Sequence, residues 1–164
     1  MPAIRTLLLL LLVAALAGCT TTGPHGQGSG TPGASPSARA GFGGPSPAIE
    51  ETDEAMFRTP SGNIFCALIA TTVRCDIAKR SWTAPAKPAS CPLDWGHGLY
   101  IDADGAGLLC AGDSLLNSST RTLAYGTGLR SGALLCTSES TGLKCVNERT
   151  THGFTLAVAE YTLF

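Results

Sequence analysis

Two pairs of cysteines with the same spacing constrain this chain more than any other feature: Cys66 with Cys75, and Cys136 with Cys145, each nine positions apart. The hexapeptide before each first cysteine is also similar, Ser61-Gly62-Asn63-Ile64-Phe65-Cys66 against Ser131-Gly132-Ala133-Leu134-Leu135-Cys136. Turn residues lead into an apolar run in both, so each copy reads as a β-hairpin clasped by a disulfide. The two-residue period of a strand puts Ile64, Cys66 and Leu68 on one face and Val73, Cys75 and Ile77 on the facing one. With Cys66 opposite Cys75, Leu68 meets Val73 and Ile64 meets Ile77, leaving residues 69–72 as a four-residue loop. A loop this short limits the entropic gain of each clasp to roughly 3 kcal/mol. In the second copy Ser140-Thr141-Gly142 supplies the turn, with glycine for a positive φ. Two copies make a duplicated device rather than a repeat architecture.

The chain holds seven cysteines, an odd count for a disulfide protein. The first, Cys19, has a different setting. Arg5 is followed by an apolar run over residues 7–16 and then by Leu16-Ala17-Gly18-Cys19. A run so short ending in small residues is a signal peptide and not a membrane span. Its ending looks like the bacterial lipobox, in which the cysteine thiol takes a diacylglyceryl group, cleavage follows before the cysteine, and the new amine receives a palmitate-class acyl chain. Two or three such chains anchor stably, each buried CH₂ contributing about 0.8 kcal/mol. With Cys19 assigned to lipid, Cys66, Cys75, Cys91, Cys110, Cys136 and Cys145 remain. In an exported domain six cysteines imply three disulfides. The two clasps leave Cys91 and Cys110 to pair by elimination. Zinc is the competing use, but no CxxC or HxxxH spacing occurs, so no metal site is expected.

Residues 20–48 comprise 8 Gly, 5 Pro and 8 Ser or Thr among 29. Such a segment buries too little surface to offset its chain entropy and is expected to be a disordered tether spanning on the order of 30 Å. His25 lies within it. The division expected is therefore residues 1–18 signal peptide, 19–53 lipidated cysteine and tether, and 54–164 a single disulfide-rich domain. No window of that domain has a 3.6-residue apolar period. It is expected to be all-β, a small stapled barrel or two-sheet sandwich of about 7–9 short strands. Residues 81–92, with Trp82 and three prolines, should be an irregular crossover. Asp104-Gly105 between apolar runs marks a middle hairpin. Residues 153–158 give a last strand, and Tyr161 and Phe164 are expected to plug the core.

Without Arg5, 10 basic residues stand against 12 acidic ones, which argues against nucleic acid or polyphosphate as partner. Candidate chemistry is sparse. His97, flanked by glycines in Asp94-Trp95-Gly96-His97-Gly98, and His152 are the histidines available as bases. Neither stands near a Gly-x-Ser-x-Gly motif, and structural roles are expected for both. Asp102-Ala103-Asp104-Gly105 superficially matches a calcium loop but lacks the later acidic ligands. Nothing selects a catalytic pair from Asp76, Asp94, Asp102, Asp104 and Asp113. For a binding module, Trp82, Trp95 and His97 are the expected contact residues, with Tyr100 and Tyr125 as further aromatic candidates.

The sequence resembles a family of actinobacterial exported proteins and lipoproteins classed as a domain of unknown function. Its pattern, F-x-[ST]-P-S-G-N-I-x-C, then V-R-C-D-I, is carried by Phe57 to Cys66 and by Val73-Arg74-Cys75-Asp76-Ile77. Trp82, Cys91-Pro92, Cys110-Ala111-Gly112-Asp113, Tyr125-Gly126 and the pair Cys136 and Cys145 continue it. The ending departs, with Thr151 before His152-Gly153-Phe154. The resemblance implies an exported location and brings no catalytic residue and no cofactor. Together these readings give the expectation of a lipid-anchored, extracytoplasmic envelope protein that binds a protein, peptide or glycan without catalysis. A small secreted hydrolase and an inhibitor of an extracellular enzyme are the alternatives.

Overall fold

The computed structural model describes residues 46–119 and 121–164. The expected signal peptide, Cys19, His25 and the tether up to residue 45 lie outside those residues. The described chain is all-β. Eleven strands form β1 (Ala48–Glu51), β2 (Glu54–Arg58), β3 (Ile64–Ile69), β4 (Thr72–Ile77), β5 (Asp94–Ile101), β6 (Ala106–Ala111), β7 (Thr127–Ser131), β8 (Leu134–Glu139), β9 (Gly142–Asn147), β10 (Gly153–Leu156) and β11 (Tyr161–Leu163).

These strands make two sheets, one of six in the order β1-β7-β8-β9-β10-β11 and one of five in the order β2-β3-β4-β5-β6. The sheets share a single apolar core and are not closed into a barrel, so the sandwich form of the expected architecture is the one adopted. The count exceeds the expected seven to nine because short, charged or threonine-rich segments, β1, β2 and β11, are drawn in by pairing with stronger neighbours. The sequence reading begins the folded domain at Glu54, and in the structure β1 already pairs in parallel with β7.

The duplication is visible rung by rung. Phe57, Cys66, Cys75 and Leu99 lie side by side across β2, β3, β4 and β5. Leu129, Cys136, Cys145 and Phe154 do the same across β7, β8, β9 and β10. All eight side chains are fully buried. Each large apolar member contributes on the order of 2 kcal/mol by leaving water.

Three disulfides join Cys66 to Cys75, Cys91 to Cys110 and Cys136 to Cys145, the pairing expected from spacing and elimination. Both clasps hold their Cα atoms 4.1 Å apart, the close spacing of a pair that exchanges no backbone hydrogen bonds. Leu68 faces Val73 and Ile64 faces Ile77, as the register predicts. The ladder runs one pair further than expected: Ile69 and Thr72 also pair, so the loop is the two-residue turn Ala70-Thr71. The second clasp ends likewise, with Glu139 paired to Gly142.

The glycines of the two copies correspond. Gly62 and Gly132 take positive φ, 65° and 58°, at the entry turns. Gly98 and Gly153 stand one residue before Leu99 and Phe154. A Cβ on Gly153 would lie 2.5 Å from the carbonyl oxygen of Cys145, and one on Gly98 would lie closer still to that of Cys75. His97, within β5, and His152, just ahead of β10, therefore occupy equivalent places, each two residues before the side chain that lies beside a clasp cysteine. Gly142 takes a positive φ, 157°, as expected of its turn, and is crowded besides, since a Cβ there would meet the Leu156 carbonyl oxygen at 2.7 Å.

Candidate functional site

The motif of residues 57–66 resolves into a turn that positions other elements. The Thr59 carbonyl accepts from the Gly62 N–H at 2.9 Å, and the Thr59 hydroxyl accepts from the Ile64 N–H at 3.3 Å while sharing a hydrogen with Ser61 at 3.0 Å. Asn63 donates from Nδ2 to the Lys79 carbonyl at 2.9 Å and accepts the Lys79 N–H on Oδ1 at 2.8 Å. The asparagine thus fixes the path of the chain as it leaves β4. No base or nucleophile is assembled there.

The polar feature of greatest consequence lies on the outward face of the five-stranded sheet. Residues 112–119 and 121–126 belong to a strap that leaves the β6 edge and crosses to the β2 edge. At the far side Arg58 donates its N–H to the Arg121 carbonyl at 2.9 Å and accepts the Leu123 N–H at 2.9 Å, and the Ser119 hydroxyl donates to the Met56 carbonyl at 2.8 Å. At the near side the strap is held by charge. Arg74 donates from Nε and Nη2 to the two oxygens of Asp76 at 3.0 and 3.1 Å. It also donates to the Asp113 carboxylate at 2.8 Å and to the Asp113 carbonyl at 2.7 Å. Asp76 accepts in addition from the Leu115 N–H at 2.9 Å.

Asp76 is on an outward-facing position yet is only 1% exposed, and Phe65, its neighbour across β3 and β4, is 3% exposed. Strand alternation turns both away from the core, so the strap is what covers them. A buried carboxylate is tolerable because three donors satisfy it. Burial pulls the Arg74 guanidinium down, and the hydrogen bonds it donates to the Asp76 and Asp113 carboxylates, with their charges, outweigh that and hold it above its ordinary value. The Arg74 hydrogen bond, then its charge, holds Asp113 below the usual carboxylate range.

Beside this network is a depression of about 310 Å³ whose walls include Arg80, Asp94, His97, Leu109, Ala111 and Leu116. Of the residues expected to contact a ligand, His97 stands in this wall. Trp82 and Trp95 do not. Trp82 donates from Nε1 to the Ala157 carbonyl at 3.0 Å, lies 4.6 Å from the Tyr161 ring, and carries the Arg80 guanidinium 4.7 Å above its own. Trp95 donates from Nε1 to the Pro85 carbonyl at 3.0 Å. Both indoles pack on the core edge and pin the crossover of residues 78–93. Phe164, expected as a core plug, is 46% exposed; its ring lies over Gly153 and under the Lys144 ammonium, 5.6 Å away.

Asp102, which opens the calcium-like loop, spends its Oδ1 on the N–H groups of Asp104 at 2.9 Å and Gly105 at 3.2 Å, as a turn does. Among the described residues no cluster of three metal-ligating side chains occurs. Nor does either imidazole hydrogen-bond to a hydroxyl or thiol there. Ser114, the hydroxyl in the depression, accepts from the Leu116 N–H at 3.1 Å. Sequence reasoning listed Asp76 and Asp113 among the acids but missed Arg74. An arginine in an apolar strand two residues before an aspartate is the signal that marks the network.

Comparison with known proteins decides one point. A family model described as a family of unknown function, DUF6636, matches residues 44–164. The chain belongs to this family. The matched span takes in β1, the strap and both clasps, so the DUF6636 unit is the whole sandwich together with its crossover. No curated protein matches the chain. No solved structure matches it.

Proposed function

We propose that this DUF6636 chain is an exported, lipid-anchored envelope protein whose sandwich acts as a non-enzymatic binding module. The observation that carries the reading is cysteine arithmetic. Six of the seven cysteines pair among themselves within the domain, and the seventh, Cys19, stands at the end of Leu16-Ala17-Gly18-Cys19. Three disulfides suit an oxidising compartment outside the cytoplasm. A Gly/Pro/Ser/Thr tether between lipid and domain gives the module reach above a membrane. The depression beside the strap offers groups of both signs and an apolar wall, a surface that suits a protein, peptide or glycan.

The test of the anchor is the full-length Cys19→Ala variant. It is expected to leave the membrane fraction, while the parent chain carries acyl mass on Cys19. Equal membrane retention of both proteins, with no acyl mass on the parent, refutes the anchor.

A further inference from the structure

We infer that β6 is a docking edge for an extended peptide, which adds to the five-stranded sheet as a sixth strand and sends a side chain into the adjacent depression. This rests on the binding-module reading and names its partner class and site.

The register shows which backbone groups are available. Cys66 and Cys75 form a non-hydrogen-bonded pair, so Cys75 and Leu99 bond each other and Leu99 and Leu108 do not. The N–H and C=O groups of Ala106, Leu108 and Cys110 consequently face away from β5. Among the described residues no backbone or side-chain partner meets them.

The other three sheet edges are each protected. On β2 the outward carbonyls of Glu54, Met56 and Arg58 accept from Thr52, Ser119 and Leu123. Strand β1 carries Glu50 and Glu51, paired with Arg121 and Arg130. Strand β11 is three residues long. These are the usual defences of an edge, namely covering, charge and shortness. Strand β6 has neither charge nor shortness, and among the described residues no hydrogen bond covers its outward groups: its six residues are Ala106-Gly107-Leu108-Leu109-Cys110-Ala111. The Cys91–Cys110 bridge ties the crossover to its C-terminal end and supplies no hydrogen bond to its outward groups.

An open edge selects the chemistry of its partner. Only another polypeptide main chain in extended form matches a row of donors and acceptors at strand spacing. The depression begins at this edge, because Leu109 and Ala111 of β6 belong to its wall. Alternate side chains of an added strand fall on the same outward face as these two, so one of them enters between Asp94, His97 and Leu116. Arg80, Asp94 and His97 carry both signs, and the pocket therefore imposes no single charge on that side chain. The main chain supplies the affinity.

The test uses the full chain, oxidised and held in detergent, against a displayed library of random twelve-residue peptides, followed by synthetic copies of the enriched sequences. Enriched peptides are expected to slow amide exchange at Ala106, Leu108 and Cys110. Ala106→Pro removes an N–H that faces away from β5, which an edge strand tolerates, and is expected to weaken binding about tenfold or more. Peptides N-methylated at alternate residues test the same bonds on the unaltered protein, and are expected to lose binding in one of the two phases of methylation. The inference is overturned by a library that yields no binder, or by binders indifferent to both Ala106→Pro and N-methylation. A concentration-dependent dimer abolished by Ala106→Pro also overturns it, since the occupant is then a second copy. Binding that persists elsewhere on the domain sinks the edge while leaving the module reading intact, and the Cys19 experiment is independent of either result.

Discussion

Removing the Asp76 carboxylate should release the strap, and the structure sets the size of the effect. Asp76 accepts three hydrogen bonds, two from Arg74 and one from the Leu115 N–H. Truncation in Asp76→Ala leaves the Leu115 N–H without its acceptor and the guanidinium with Asp113 alone. Breaking a buried, hydrogen-bonded ion pair from one side costs about 3–5 kcal/mol. The Arg74 side chain is 20% exposed and retains a second carboxylate, so water and Asp113 recover part of the loss. The expected cost is therefore near the low end, about 3 kcal/mol, or on the order of 10 °C in Tm for a domain of this size. Asp76→Asn keeps one acceptor and should lose about 2 kcal/mol. Urea denaturation with the disulfides intact measures both, because urea does not screen the pair. Amide exchange at Leu115 gives the local readout and should accelerate in both variants. A cost below about 1 kcal/mol for Asp76→Ala, or an unchanged Leu115 amide, refutes the claim that this carboxylate holds the strap.

Two further outcomes follow from the geometry. The folded-state pKa of Asp113 lies below its ordinary value of 3.8, so its contribution is complete above that value and is lost as pH falls through the folded pKa. The stability difference between the parent chain and Asp113→Asn should accordingly be constant from about pH 5 upward and vanish on acidification below about pH 4, as read from urea midpoints across pH; a difference that persists in acid contradicts the pairing. Gly98→Ala and Gly153→Ala each press a methyl against a clasp carbonyl and should cost about 2–3 kcal/mol, Gly98 the more. Gly62→Ala meets no atom within 4 Å and pays only for its positive φ, so its cost by the same measurement should be the smaller.

The clasps were legible because their evidence is local. A nine-residue spacing, period-two alternation and a turn between them fix Cys66 opposite Cys75 without any distant contact. Barrel and sandwich were indistinguishable for the opposite reason, since closure depends on whether β6 meets β2, and strand patterns do not encode it. The strap left no periodic signal. Its partners are scattered, Arg58 with Arg121 and Asp76 with Leu115, and its polar residues read as an ordinary loop until the sheet beneath it is seen. Strands β1 and β11 escaped notice because Glu50, Glu51 and Thr162 do not look like core. His97 stands out in the sequence because histidines are few, and the fold sets it in the wall of the depression. Trp82 and Trp95 were singled out for their contact area, and their indole N–H groups turn out to hold the crossover.

The placement of the disulfides has a consequence for how the molecule comes apart. Each bridge closes a short stretch of chain, with separations of 9, 19 and 9 residues, and each stays with a single sheet. None sews the two sheets together. The halves are like two pages, each separately stitched, that lie shut through the apolar contacts of Phe57, Leu99, Leu129 and Phe154, the bonds of Ser81 and Trp82 to the Val158 and Ala157 carbonyls, and the two threads of chain running between them, from β1 to β2 and from β6 to β7. Opening the book costs hydration of that core and no covalent bond, so a fully oxidised chain is free to exchange one page with another copy. Thiol titration would register nothing while it happened.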